Sequence, residues 1–532
     1  MNRFAAVRLA ACLVSLALVT LFATRESPAQ SLGRSTSPDS ALGETLTRIA
    51  GQSLSLEDAV EAALEFSTDV REAEEFLRAA RGASRRENGA FDPVLFADFE
   101  FGDNDIPALV PFAGAPVVEE SQTFGAAGAR LKLAIGTEFR AALETNRLKS
   151  NNVFQGFNPA YTTRGVLEVR QPLLKGFGPA TSADRTFADR EVEAAFSRYE
   201  NIVLSMEAQV TGTYWDLYAA ERDYAVQLLI VDQAEAFLVE ARTRSSAGLV
   251  GPNEVATARV FLAEQQLALL DALEHMDEVS DALGVFMGRR PSIDSPRFRP
   301  STEPAEEFPI EEQHVLLERA LKQNGEMLAA QRNLEAAQAL EKGAKWDAYP
   351  TLDLTGVVGG NGLAGTGQAV GDDSTLVGRD TGMGDAIEQV FKADNPLWGV
   401  GVHLSIPIGF REGRGERDRL RAEVDRAREL ILEIERKLEA EIRFFHRELV
   451  NGTRRLEYAL DGVNASLEQV RIGQIEYGNG RTTAFELVRL GADAAEAQQR
   501  YSDALVRTAK AYAELERLAP KELASTRMGK SP

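Results

Sequence analysis

The sequence predicts a mainly α fold with intervening β-strands, laid out as two copies of one unit: a helical stretch ending at a proline, strands, then two long antiparallel helices. Three observations carry this. Residues 63–95 lie without a gap on residues 320–352, 257 positions later, so that Leu64 meets Leu321, Leu77 meets Leu334 and Pro93 meets Pro350. Farther on, Pro172 matches Pro407, and Gly248 to Val255 (GLVGPNEV) matches Gly480 to Leu487 (GRTTAFEL), at the nearly equal offsets of 235 and 232. Finally, no proline interrupts residues 408–519, and Pro252 alone lies between 180 and 290. Repeats of this kind bury their faces against one another, which favours a pseudo-symmetric wall over one globular core.

The chain starts with an export signal. Arg3 and Arg8 give a basic start, Leu9 to Ala23 is an apolar run, and Ser27-Pro28-Ala29 offers small residues for cleavage before Gln30. Leu9-Ala10-Ala11-Cys12 also spells a lipoprotein box, but the apolar segment before Cys12 is very short. Cleavage after Ala29 removes the only cysteine, so no disulfide is expected. It also removes Arg3, Arg8, Arg25 and Glu26, which takes the net charge from −22 to −24. So acidic a chain repels nucleic acid and anionic membrane surfaces.

Residues 30–53, rich in Ser, Thr and Gly, read as a flexible lead-in. Leu56 to about Asn88 reads as one helix, opened by Ser55 with Asp58 three residues on, a variant of the capping box. The period then falls to two. Val94, Phe96, Phe99 and Phe101 mark one strand, and Leu131, Leu133 and Ile135 alternate with Lys132 and Ala134. Val166 to Val169 leads into Gln171-Pro172. In the second copy, Leu352 and Leu354 mark one strand and Trp398 to Ile408 another. The Gly-rich stretch between them, more than 30 residues without periodicity, reads as an exposed loop.

The long helices carry apolar residues at steps of three and four: Val192, Phe196, Tyr199, Val203, Met206, Val210, Tyr214 and Leu217, then Val424 through Leu449, then Leu456 through Val470. This is coiled-coil spacing with occasional extra steps of four. A helix from about Ser182 to Ala247 would run roughly 100 Å at 1.5 Å per residue. Each long helix must then reverse, at Gly248 to Val255 and at Tyr477 to Leu487. Gly allows the helix stop, and Asn253 or Thr483 can cap the restart. The chain thus divides into a signal peptide (1–29), the lead-in (30–53), a first repeat (54–287), a Pro-rich linker (288–307), a second repeat (308–519) and a flexible tail (520–532).

Chemistry is not legible. Gly360 to Gly365 matches the dinucleotide pattern G-x-G-x-x-G, but no amphipathic helix follows to receive a pyrophosphate. The four histidines (His275, His314, His403, His446) lack metal-ligand spacing. No nucleophile motif occurs. The expectation is a protein that is not an enzyme and holds no cofactor or metal. After the signal, no run of about 18 apolar residues offers a membrane helix, so a membrane-spanning role would require a closed β-barrel.

The chain resembles the TolC-like outer-membrane efflux protein family over about residues 54–520. The residues that carry the resemblance are the duplicated helix ending at Phe91-Asp92-Pro93 and Tyr349-Pro350, and the strand ends QPLLKGFG (171–178) and SIPIGFREGR (405–414). To these are added the tips GLVGPNEV (248–255) and YGNGRTTAFEL (477–487), and the closing ALGVFMG (282–288). The resemblance implies a long antiparallel α-helical coiled-coil barrel joined to a transmembrane β-barrel shared by a homotrimer, four strands per protomer and twelve in all. It implies an outer-membrane exit duct of a tripartite efflux or type I secretion system, extending into the periplasm. Its partners would be outer-membrane lipid, a periplasmic adaptor (membrane fusion) protein and, through it, an inner-membrane transporter.

Carried over by position, Tyr477 is the tip tyrosine, Glu254 an acidic tip residue able to pair with it, and Glu486 an acidic residue at the constriction. Arg481 lies one position before Thr482, where the family has an arginine, and Arg489 stands where a second acidic residue would follow. Gly248, Leu249, Val250, Gly480 and Thr482 are the expected adaptor-docking tips. The first half departs from the family: between Pro93 and Pro172 there is room for more than two strands, with a turn at Ile135-Gly136-Thr137. The alternative is a periplasmic coiled-coil scaffold or adaptor-like binding protein without a pore.

Overall fold

The computed structural model describes residues 38–107, 115–290, 296–305, 307–370, 374–479 and 481–521. The signal peptide with Cys12, residues 30–37 of the lead-in, Gly480, and residues 522–532 of the tail lie outside these. In chain order come α1 (Pro38–Arg48), β1 (Gln52–Leu54), α2 (Leu56–Phe66) and α3 (Thr68–Asn88), then the strands β2 (Val94–Pro107), β3 (Val117–Lys132), β4 (Glu138–Ser150) and β5 (Phe157–Pro172). The helices α4 (Pro179–Ser246) and α5 (Pro252–Phe286) complete the first half. The second half holds β6 (Phe298–Pro300), α6 (Gln313–Gln323), α7 (Gly325–Asp347), β7 (Thr351–Gly367), α8 (Met383–Lys392), β8 (Pro396–Ser405), α9 (Arg411–Gly478) and α10 (Ala484–Leu518).

The two halves keep register along their long helices. α4 and α9 each have 68 residues, α5 and α10 each 35. Pro179 and Arg411, Ser246 and Gly478, Pro252 and Ala484, and Phe286 and Leu518 all lie 232 positions apart. At 1.5 Å per residue the longer pair extends about 100 Å.

The stretch read as one helix from Leu56 is two, and the second half repeats the break. Ser67 stops α2 and caps α3, accepting from the Asp69 amide, and Asn324, 257 positions on, caps α7 by accepting from Glu326 and Met327. A cap of this kind contributes about 1 kcal/mol, and here it turns the chain without breaking its apolar stripe. Ala59, Ala63, Val70 and Leu77 bury against Tyr199, Val203, Val210 and Tyr214 of α4, while Leu316, Ala320 and Met327 bury against Ile434, Leu438 and Ile442 of α9.

Two spans read as flexible or as linker are ordered over their described residues. Leu42 of α1 and Ile49, just past its end, bury against Ala225, Val226 and Ile230 of α4. β1 pairs in parallel with β6 from the linker span, joining both around the buried Tyr214. The Tyr214 hydroxyl donates to the Leu54 carbonyl at 2.9 Å and accepts from the Ser301 and Thr302 amides at 3.0 and 2.9 Å. Lys521, at the start of the expected tail, pairs with Glu311 and Glu516.

The long helices stand in a row. α5 packs on α4, α4 on α10 and α10 on α9, so α5 and α9 are its outer members. Among the described residues the other six strands form one antiparallel sheet in the order β2-β3-β4-β5-β7-β8. The expectation of four strands per protomer is therefore corrected to six. The first half contributes four, with a turn at 133–137 closed by the Leu133 amide on the Thr137 carbonyl and Gly136 at φ +92°.

The Gly-rich span is also corrected: its first part is strand β7, and α8 lies within the rest. Gly165, Gly360 and Gly362 leave room for α8, because a Cβ at any of them would press on Val390 or on the Ala386 carbonyl. Gln389 bridges the Leu363 amide and carbonyl at 3.0 Å each, satisfying the edge of β7 that extends beyond β8.

Candidate functional site

Two regions carry the geometry, the faces of the sheet and the tips of the long hairpins. Because side chains alternate across a strand, the paired registers assign each residue to a face. One face is apolar over most of its height: Leu95, Phe99 and Phe101 on β2, Leu143 on β4, Leu167 on β5, Leu354 and Val358 on β7, and Trp398, Val400, Val402 and Leu404 on β8. Several are wide open; Leu95 is 82 %, Phe99 78 % and Trp398 77 % exposed. Charge appears on this face only toward the end remote from the helices, at Asp103, Asp105, Glu119, Arg147 and Lys149.

The opposite face is charged and internally paired. Arg140 bonds Glu144 at 2.6 Å and Glu168 at 3.2 Å, and Arg170 bonds Asp353 at 2.7 Å and Glu138 at 3.2 Å. Phe96 of β2 lies on this face beneath the Arg130 and Arg140 guanidinium groups, at 4.9 and 5.6 Å. An apolar band on one side and a polar wall on the other is what a membrane barrel requires of its strands. Strands of 10 to 17 residues are long enough to cross a bilayer, which takes about 9–11. Among the described residues no helix is long and apolar enough to do so.

At the tips, α4 stops at Gly248, with φ +74°, and its last carbonyls accept from Ala247, Gly248 and Leu249. Pro252 occupies the first turn of α5 behind Gly251, so Asn253 lies inside the helix and does not cap it. Thr483 does cap α10, accepting from the Glu486 amide at 3.2 Å. Leu249 is 71 % exposed, Thr482 and Val250 are half-buried, and Arg481 is exposed.

The tip tyrosine pairs elsewhere than expected. Tyr477 donates to Glu240 of α4 at 2.7 Å, and Glu240 also faces Arg244 at 3.6 Å. That carboxylate holds the Tyr477 hydroxyl above its usual range, with a smaller contribution from burial. Glu254 is exposed in the first turn of α5 and takes no part in the pair. Beside the pair, Phe237 of α4 meets Phe485 of α10 at 5.7 Å. Glu486 and Arg489 bond one another at 2.7 Å, so each Glu486 charge is offset on its own helix. Glu240, Arg244 and Phe237 escaped the sequence reading because they lie one to three turns before the Gly248 turn, with no local motif. Only the helical register linking α4 to α9 points to them.

The four histidines are dispersed here too, and His446 bonds the Glu311 carbonyl at 3.0 Å. Gly360, Gly362 and Gly365 of the G-x-G-x-x-G pattern lie within β7, where the first two make room for α8.

A duplicated pair of long antiparallel helices, joined to an antiparallel sheet with one apolar and one charged face, is a fold shared with solved TolC-like outer-membrane channels. The structure superposes on the outer-membrane channel OprN with a TM-score of 0.60 at 19 % identity, covering 88 % of this chain and 90 % of that one. It superposes likewise on the Campylobacter jejuni CmeC outer membrane channel (TM-score 0.61, 14 % identity, 96 % of each chain). The open-state Neisseria gonorrhoeae MtrE outer membrane channel gives 0.59 at 15 % identity, with 87 % and 88 % covered. Residues 316–519 match the model of the outer membrane efflux protein family. No curated protein sequence matches. The chain thus has the fold of the TolC-like outer-membrane channels along its length, and residues 316–519 are similar in sequence to the outer membrane efflux protein family.

Proposed function

We propose that three copies of this chain form an outer-membrane exit duct of a tripartite efflux or type I secretion system, gated at the hairpin tips. The observation that carries this reading is the two-faced sheet. Among the described elements only α8 covers its apolar band, which continues to both edge strands. In water so much open Phe, Leu, Val and Trp on unpaired edges would aggregate; in a bilayer it faces lipid. The open edges favour an oligomer, since only a closed barrel satisfies strand backbones in lipid. The helical row supports the same arrangement. Its outer members keep exposed apolar residues, Val260, Leu267 and Leu270 on α5 and Tyr458, Ile472 and Ile475 on α9, suited to packing α9 of one copy on α5 of the next.

In this reading the sheet crosses the outer membrane and the helices cross the periplasm. The tips at Gly248, Leu249, Val250, Gly480 and Thr482 receive a periplasmic adaptor, which couples the duct to an inner-membrane transporter. Energy comes from that partner; the duct conducts small molecules, ions or secreted polypeptides without catalysis. The Tyr477–Glu240 bond holds the α9–α10 hairpin against α4, and its loss is the opening step. Glu254, Arg481 and the Glu486–Arg489 pair set the charge around the passage, and that pairing weakens any selectivity for cations. Membrane fractionation tests the reading. The protein should travel with outer membranes and run on gels as a trimer that dissociates on heating; recovery as a soluble periplasmic protein would refute it.

A further inference from the structure

We infer that β2 of one protomer pairs antiparallel with β8 of the next, closing a barrel of eighteen strands rather than the twelve expected from the family. This inference rests on the trimeric duct proposed above, and the number follows from six strands per chain in three copies. The two added strands lie in the first repeat, which supplies β2, β3, β4 and β5 where the second supplies β7 and β8. The added strands are part of the wall rather than a flap on it, since β3 is paired along its length with both β2 and β4. Phe96 of β2 also sits under Arg130 and Arg140 of β3 and β4, which fixes the first hairpin to the charged face.

The two free edges are complementary. β2 leaves α3 and runs away from the helices, while β8 returns to α9, so neighbouring copies meet with opposite strand directions and with Val94 and Ser405 at the same end. Leu95, Phe99 and Phe101 on β2 and Trp398, Val400 and Val402 on β8 then continue one apolar band across the junction. The helices demand the same neighbour. In both layers the first repeat supplies one outer edge (β2, α5) and the second repeat the other (β8, α9). A single rotation therefore joins strand edges and helix edges together. Barrel diameter grows roughly linearly with strand number, so this mouth is about half again as wide as a twelve-stranded one.

The test is cysteine cross-linking between protomers in outer membranes, aided by the absence of any native cysteine after Cys12. Leu95, Phe99 or Phe101 is changed to Cys and combined with Cys at Trp398, Val400, Val402 or Leu404, all exposed positions. At least one register should give thiol-reversible dimers and trimers. Cross-links to β8 from Leu143→Cys or Thr145→Cys on β4 instead would mean that the first hairpin stands outside a twelve-stranded barrel, and would overturn the inference. So would a trimer in which no pair links. A cryo-EM map of the unmodified protein checks the same point, with eighteen strands expected and twelve contradicting it. A monomer by native mass spectrometry would instead sink the duct reading itself.

Discussion

The Tyr477 hydroxyl lies 2.7 Å from the Glu240 carboxylate, joining helices whose contacting residues are 237 positions apart. A hydrogen bond to a charged group contributes about 1.5–3 kcal/mol, and exposure of this one places it near the lower end. Tyr477→Phe should therefore speed amide exchange in residues 470–478 about tenfold. Glu254→Ala should leave it unchanged. Equal effects of the two, read by hydrogen exchange and mass spectrometry, would return Glu254 to the tip pair.

Tyr214 ties β1 and β6 to α4 through one donated and two accepted bonds, and is fully buried. Tyr214→Phe keeps the ring and strands the Thr302 amide, while the Ser301 amide and hydroxyl still bond the Leu54 carbonyl at 2.9 and 3.0 Å, so the loss should cost about 1–3 kcal/mol. Denaturant unfolding followed by helical circular dichroism checks this. A loss below about 0.5 kcal/mol would mean that water replaces the hydroxyl.

Asp223 of α4 is pushed up to about 6, chiefly by burial and then by the Asp503 charge, against smaller opposing effects of Gln499 and His275. The folded chain therefore holds a proton between the ordinary value of 3.8 and about 6 that the unfolded chain releases. This contribution favours the fold most below the lower value and is lost as pH rises to about 6. Asp223→Asn should be the more stable form at pH 7 and should remove that slope. Parallel stability curves for the two proteins between pH 4 and 7 would contradict the assignment.

Gly362 sits beneath the Ala386 carbonyl of α8, whereas Gly356 on the same strand faces open space. Gly362→Val should lift α8 from the sheet and expose the bond after Lys392 to trypsin, with the trimer intact. Gly356→Val should leave cleavage slow. Rapid cleavage of the parent protein would show that α8 is not held.

The long helices were legible because their stripes are unbroken and their ends are marked by Gly and Pro, so the 232-residue register appears in both sequence and structure. The breaks at Ser67 and Asn324 were not. Each cap sits within a continuous helical pattern, and only packing against α4 and α9 reveals the turn. Leu352 and Leu354 marked the start of β7, but its continuation was hidden for the opposite reason, since Gly359, Gly360 and Gly362 read as loop. At Gly360 and Gly362 the missing side chains answer to α8, and at Gly359 to the Gly165 backbone. The tip was read from family pattern, which located Tyr477 and missed Glu240, a partner specified by helix register rather than by neighbouring residues.

Single-channel recording of the purified protein in a planar bilayer tests the central claim most directly. A pore closed at its tip predicts small, stable conductance steps in the parent protein and larger ones in Tyr477→Phe combined with Glu240→Ala. A well-folded trimer that never inserts would contradict the channel. Insertion with unchanged conductance in the double variant would keep the channel and remove the gate from Tyr477.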